Sequence, residues 1–144
     1  MMVNMDEQIS KNFTMREMCY SYSANRHCIK NEPNEEEAAN IRTLVNKLLQ
    51  PLRDYMDMPL LVTSGFRTQR LNGLVGGAKN SFHMKGCAAD IAMPSWKAAF
   101  KAAAFCSRMA FTEVILSKKK ERIWLHVAYD ASSRKQYVAF KQYN

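Results

Sequence analysis

The chain has 144 residues, 47% of them apolar and 24% charged, close enough to globular averages to exclude disorder, collagen-like repeats and coiled-coil arrays. That length suits one domain, 1–144, able to bury a core without staples. Twenty-one Lys and Arg against 13 Asp and Glu leave a net charge of +8, which suits a polyanionic partner: nucleic acid, an acidic membrane surface or an anionic wall polymer.

The opening residues Met1 to Glu7 have neither the basic start nor the apolar core of a secretory signal. No apolar run approaches the ~20 residues a membrane span needs. These features predict cytosolic synthesis and no stable membrane insertion. Cys19, Cys28, Cys87 and Cys106 form no C-x-x-C pair, so a zinc knuckle or thioredoxin-like motif is not expected.

Thr14-Met15-Arg16-Glu17 is a capping box and starts a short helix. Asn34 with Glu37 repeats that logic, and Glu35 to Glu37 fill a first turn, where the helix dipole favours acids. Ile41, Leu44, Val45, Leu48, Leu49, Leu52, Tyr55 and Met56 then recur at helical spacing, which predicts a core-packing helix. Pro51 inside this stripe should kink it or open it locally. Leu60 to Thr63 reads as a buried strand, Gln69 to Val75 as a short helix, Cys87 to Met93 as a second strand, and Trp96 to Met109 as an Ala-rich helix capped by Ser95. Glu113 to Ser117 and Ile123 to Tyr129 read as a hairpin around Lys118 to Glu121, with Gln136 to Phe140 as a last edge strand. Helices first and a meander later predict an α+β domain, an antiparallel sheet flanked by helices.

Two of the three histidines stand in informative places. Ser81-Phe82-His83-Met84-Lys85-Gly86-Cys87-Ala88-Ala89-Asp90 holds one, and Trp124-Leu125-His126 the other. Two imidazoles and a carboxylate are a ligand set for a catalytic zinc with its fourth position open. Gly86 lets the chain turn back and bring His83 and Asp90 to one point. On spacing alone, a buried histidine satisfied by hydrogen bonds fits equally well.

The string S-x-H-x-x-G-x-A-x-D followed by W-x-H resembles the M15-type zinc D,D-peptidases, which include D-Ala-D-Ala carboxypeptidases and phage endolysins. The likeness runs along most of the chain. Asn12-Phe13-Thr14 with Glu17-Met18, Asn31-x-Pro33, Leu49-Gln50-Pro51-Leu52-Arg53, Ser64-Gly65-Phe66-Arg67-Thr68, and Leu71-Asn72 with Val75-Gly76-Gly77 match its segments in order. The resemblance implies the small Hedgehog/DD-peptidase fold, with His83, Asp90 and His126 on zinc. It places Arg67 in the catalytic and substrate-binding site, as the cation that meets a carboxylate or steadies an oxyanion. Arginine's planar fork suits that task. Ser81 matches a substrate-binding position, and Phe82 departs from the glutamine often found there. The implied reaction is zinc-assisted hydrolysis of peptidoglycan peptides by a monomer, in the manner of a carboxypeptidase or an endolysin, with no nucleic-acid partner.

The general base departs from the family pattern. Its usual place, three residues before the last ligand, holds Ile123. Glu121 lies five residues ahead of His126, about 17 Å away on an extended strand at ~3.3 Å per residue. A four-residue loop, Lys118 to Glu121, would set Glu113 opposite His126 on the same face, with Cβ atoms about 5 Å apart. Glu113 is therefore expected to be the base, ahead of Glu121, with a carboxylate that merely orients His126 as the plainer reading. The alternative for the whole chain is a catalytically weak zinc-binding or wall-binding module of the same fold, which Ile123 favours.

Overall fold

The computed structural model describes residues 2–144; Met1, at the head of the segment read as carrying no export signal, lies outside them. A small hairpin of β1 (Gln8–Ser10) and β2 (Phe13–Thr14) leads into α1 (Met15–Cys19), whose Thr14 cap accepts the Glu17 N–H at 3.1 Å. A helix without a sequence expectation follows, α2 (Tyr22–Arg26), capped by Ser21 accepting the Ala24 N–H at 3.1 Å. Five residues carry no readable periodicity, so only its cap could have announced it.

Asn34 and Glu37 close the expected reciprocal box at 2.8 and 2.9 Å and open α3 (Glu35–Leu44). The stripe continues through a π-helical turn, Val45–Leu49, into α4 (Gln50–Met56). The opening expected at Pro51 takes this form: proline offers no N–H, and the ladder widens just ahead of it, with the Gln50 N–H reaching back to the Val45 carbonyl. Ile41, Leu44, Leu48, Leu49 and Leu52 are essentially sealed, each worth about 1.5–3 kcal/mol of burial.

Next come β3 (Leu61–Ser64), α5 (Gln69–Leu74), a 3-10 turn Phe82–Lys85, β4 (Ala88–Met93), α6 (Trp96–Cys106), β5 (Glu113–Lys119), β6 (Arg122–Ala128) and β7 (Tyr137–Tyr143). Helix α6 stops short of the expected Met109 because the Arg108 and Met109 N–H groups tighten onto carbonyls three residues back. The five-stranded sheet has the order β3-β4-β6-β5-β7. Four strands are antiparallel, as expected. The last is not: the link 129–136 passes over the end of β5, so β7 runs parallel to it, from Glu113↔Tyr137 to Lys119↔Tyr143.

The hairpin register differs from expectation. Lys119 pairs with Arg122, leaving a two-residue turn of Lys120 and Glu121, with Lys120 at φ 56. A two-residue turn with positive φ matches the twist of the strands better than a four-residue loop. The pairing therefore slides by two residues, which keeps every side chain on its predicted face.

One face of the sheet, with Ile91, Val114, Leu116, Leu125 and Val127, packs into the core with the long helix and α6. The other face stays open and forms the floor of a groove. Among the described residues, no helix is long and apolar enough to cross a membrane.

Candidate metal centre

Gly86 makes the turn on which the centre depends. It ends the 3-10 turn in the left-handed region at φ 78, and a Cβ there would lie 2.5 Å from the Glu37 carbonyl oxygen. Only glycine lets the chain fold back against α3 and send β4 into the sheet. His83, in the 3-10 turn, thus comes to face Asp90, halfway along β4, with Nε2 3.4 Å from Oδ1. Strand β6 lies beside β4 in a register that puts His126 directly opposite Asp90, with Nδ1 2.8 Å from the same oxygen.

His83, Asp90 and His126 each offer one ligand atom within 4.8 Å of the others. The remaining ring nitrogens are committed elsewhere. His83 Nδ1 donates to the Gly65 carbonyl at 2.7 Å, and His126 Nε2 donates to Glu113 Oε1 at 2.8 Å. Those bonds turn the free nitrogen of each ring towards the carboxylate, the orientation a metal ligand needs. Gly65 is required here too, since a Cβ would sit 2.1 Å from the Met18 carbonyl oxygen. Two imidazoles and one carboxylate with an open side fit zinc in type and number.

Electrostatics agree. Burial alone would raise the pKa of Asp90, but hydrogen bonds from His126 and His83 outweigh it and hold the group well below the usual carboxylate range. Burial would likewise lower His126, yet Asp90 and Glu113 on either side push it up to about 9. Without a metal, the ring therefore carries a proton and a cation sits between the two carboxylates. Cys87, next to the motif, is no competitor: burial pushes its thiol up to about 11, and only a thiolate ligates.

Glu113 is buried and diagonal to His126, because Ile115 takes the directly opposite place that the four-residue loop would have given it. A glutamate spans that diagonal. Both its oxygens are engaged: Oε1 with His126 and Oε2 with Lys135 Nζ at 2.6 Å. The His126 bond, helped by Lys135, lowers it to about 2. Glu121 stands in the hairpin turn, exposed, and lines a neighbouring hollow whose walls also include Asp90. Ile123 packs towards the core, on the face away from the groove.

The groove above the centre has a volume of about 540 Å³, and Arg67, Ser81, Trp124 and Lys141 are among its walls. Arg67 makes no ion pair among the described residues, and its Nε is buried without a hydrogen-bond partner. Its backbone is clamped: its N–H donates to the His83 carbonyl at 3.1 Å, and the Thr68 N–H to Asn31 Oδ1 at 2.9 Å. The Asn31 amide also donates to the Cys19 and Phe66 carbonyls at 2.9 and 2.8 Å. Ser81 Oγ accepts the His83 N–H at 3.1 Å, so it braces the turn that carries His83 while facing the groove. Sequence reasoning missed the bracing role of Asn31 and the groove-lining Lys79, Lys135, Lys141 and Tyr143. The alternation of Tyr137, Ala139, Lys141 and Tyr143 was the one signal that these last belonged to a single strand face.

A model of the peptidase M15 family matches residues 11–128. The zinc D-Ala-D-Ala carboxypeptidase of Streptomyces albus G is 45% identical over 69 residues, 46% of this chain and 26% of that protein. The match thus takes in about a quarter of that relative's length. With the family match extending over most of the chain and enclosing all three converging candidate metal-binding residues, the chain belongs to the peptidase M15 family.

Proposed function

We propose that this chain is a zinc-dependent peptidase that hydrolyses amide bonds in peptidoglycan peptides. The observation that carries the proposal is the convergence of His83, Asp90 and His126 on one point beneath an open groove. The similarity to a zinc D-Ala-D-Ala carboxypeptidase supports it. A zinc ion held by His83 Nε2, Asp90 Oδ1 and His126 Nδ1 supplies Lewis-acid activation of water and of the scissile carbonyl.

The chain's own groups do the rest. Arg67, which lines the groove near Asp90 without forming an ion pair among the described residues, binds a substrate carboxylate or the oxyanion that develops on the carbonyl. Glu113 Oε1 holds the Nε2 proton of His126 and so keeps Nδ1 turned towards the metal position. Glu113 Oε2, tethered only by the half-exposed Lys135, is the oxygen that takes a proton from water in the groove and returns it to the leaving amine. A single chain supplies every one of these groups, so a monomer suffices. Carboxypeptidase and endolysin-type endopeptidase action share this machinery, and either acts on the cell wall.

A second reading has its own support. Glu113 is engaged at both oxygens, and Ile123 offers no base from the core face. On that reading the chain is a zinc-binding or wall-binding module with little turnover. Metal analysis coupled to mass spectrometry of digested peptidoglycan separates the two. About one zinc per chain with defined cleavage products is expected; stoichiometric zinc without products from any wall peptide would leave only the second reading.

A further inference from the structure

The family match ends at residue 128, yet the groove does not. Strand β7, wholly outside the match, contributes Lys141 and Tyr143 to its wall. The register of the sheet orders the groove into rows. Asp90, His126, Ile115 and Ala139 form the row of the metal centre, and Trp124, Ser117 and Lys141 form the next one towards the hairpin turn. Strand order then sets the axis. Arg67 follows β3 at one edge of the sheet, the centre lies on β4 and β6, and Lys141 stands on β7 at the other edge.

Lys141 makes no ion pair among the described residues, and neither does Lys79 across the groove. Trp124 and Tyr143 stack with ring centroids 6.0 Å apart and planes 12° from parallel, and Arg122 covers Trp124 at 5.6 Å. Small residues, Ser117 and Ala139, lie between these groups on the floor. Cations without acidic partners, Lys141 resting over the Tyr137 ring at 6.0 Å, an aromatic platform and a small-residue floor suit a surface that holds an extended anionic chain.

We propose that β7 extends the cleft into a subsite for an acidic residue of the substrate, with Lys141 meeting its carboxylate on the acyl side of the scissile bond. This rests on the peptidase reading, in which Arg67 takes the opposite, leaving-group side. Spacing sets the position. Two strands at about 4.8 Å and one two-residue step of about 7 Å put Lys141 roughly 12 Å from His126. At 3.3–3.6 Å per residue, an extended peptide covers that distance in about three residues.

The test uses two synthetic peptides, identical except for Glu or Gln three residues ahead of the scissile bond, with the zinc-loaded full chain. The wild type should prefer the Glu peptide by about fivefold in kcat/KM, the scale of one partly exposed charge pair. Lys141→Ala should bring the ratio to about one, and Lys141→Glu should invert it. Tyr143→Ala should weaken both peptides alike. Lys118→Ala removes the same charge from the opposite face, where that lysine covers Trp96, and should keep the preference. A wild type indifferent to the acid, or a Lys141→Ala variant that retains the preference, overturns the proposal. If neither peptide is cut, the peptidase reading fails, and tryptophan-fluorescence titration with the same pair decides the subsite separately. Tighter binding of the Glu peptide that disappears in Lys141→Ala upholds the subsite, whereas equal binding overturns it.

Discussion

Substitution of Glu113 separates its two proposed duties, because the two oxygens serve different partners. In Glu113→Gln the side-chain carbonyl still accepts the His126 Nε2 proton, so the ring keeps its orientation. What is lost is the charge on that bond, since a charge-assisted hydrogen bond is about twice as strong as a neutral one. With a neutral bond near 1 kcal/mol, the difference is about 1 kcal/mol, or roughly fivefold in zinc affinity. Glu113→Ala removes the bond altogether and should weaken zinc by 10–100-fold, the usual range for a partner that orients a metal ligand. Turnover should respond differently. Neither variant accepts a proton, so at saturating zinc both should lose about 10²–10⁴ in kcat on a wall peptide. Competition with a fluorescent chelator measures the first effect, and product release measured by mass spectrometry the second. A Glu113→Gln variant that turns over within threefold of wild type would refute the proton-transfer role. Unchanged zinc affinity in Glu113→Ala would refute the orienting role.

Gly86→Ala places a Cβ 2.5 Å from the Glu37 carbonyl in a left-handed conformation; strain and clash together should destabilise by about 3 kcal/mol, a fall of roughly 6–12 °C in Tm by calorimetry. Arg67→Ala should lower kcat/KM on a carboxylate-terminated peptide by about 10–100-fold while leaving Tm unchanged or raised, because it removes a half-buried cation whose Nε is unpaired and which makes no ion pair among the described residues. A fall in Tm comparable to that of Gly86→Ala would contradict this. Zinc affinity should depend on pH through His126. That group must lose its Nδ1 proton to ligate and is raised to about 9 in the metal-free protein, so affinity should fall about tenfold per pH unit below 9, as read by competition titration. The stability of the metal-free protein gives the complementary check. The His126 contribution is fully present below its unfolded value near 6.5 and is lost as pH rises through about 9. That of Glu113 is present above about 4.5 and is lost as pH falls through about 2. Denaturant midpoints flat across pH 4.5 to 9 would contradict the assignment.

Much of the fold was legible because it is local. The caps at Thr14, Asn34 and Ser95, the apolar stripe from Ile41 to Met56 and the break at Pro51 involve residues within one or two turns of each other, so spacing alone carries the information. The short α2 was illegible for the complementary reason: five residues hold no period. The candidate metal-binding residues were named from a motif, since a histidine, a turning glycine and a strand aspartate lie within eight residues of chain. Whether they meet was beyond a motif. That depends on Asp90 pairing with His126 across β4 and β6, on Gly65 offering its carbonyl to His83, and on contacts of Gly65 and Gly86 with α1 and α3.

Glu113 shows where the boundary falls. Alternation along a strand gives the face of a residue, and a two-residue slip in register leaves that face unchanged, so its approach to His126 survived an incorrect loop length. Its exact partners did not. Positive φ at Lys120 allows the tighter turn, which places Ile115 opposite His126 and moves Glu113 to the diagonal, within reach of Lys135. Composition, caps and motif in the sequence determined an α+β domain with two histidines and an aspartate suited to a metal. The tertiary structure decided that they share one centre, that β7 runs parallel and walls the groove, and which oxygen of Glu113 is held by which cation. Those outcomes rest on contacts between residues far apart in the chain, and only packing of the whole molecule sets their distances.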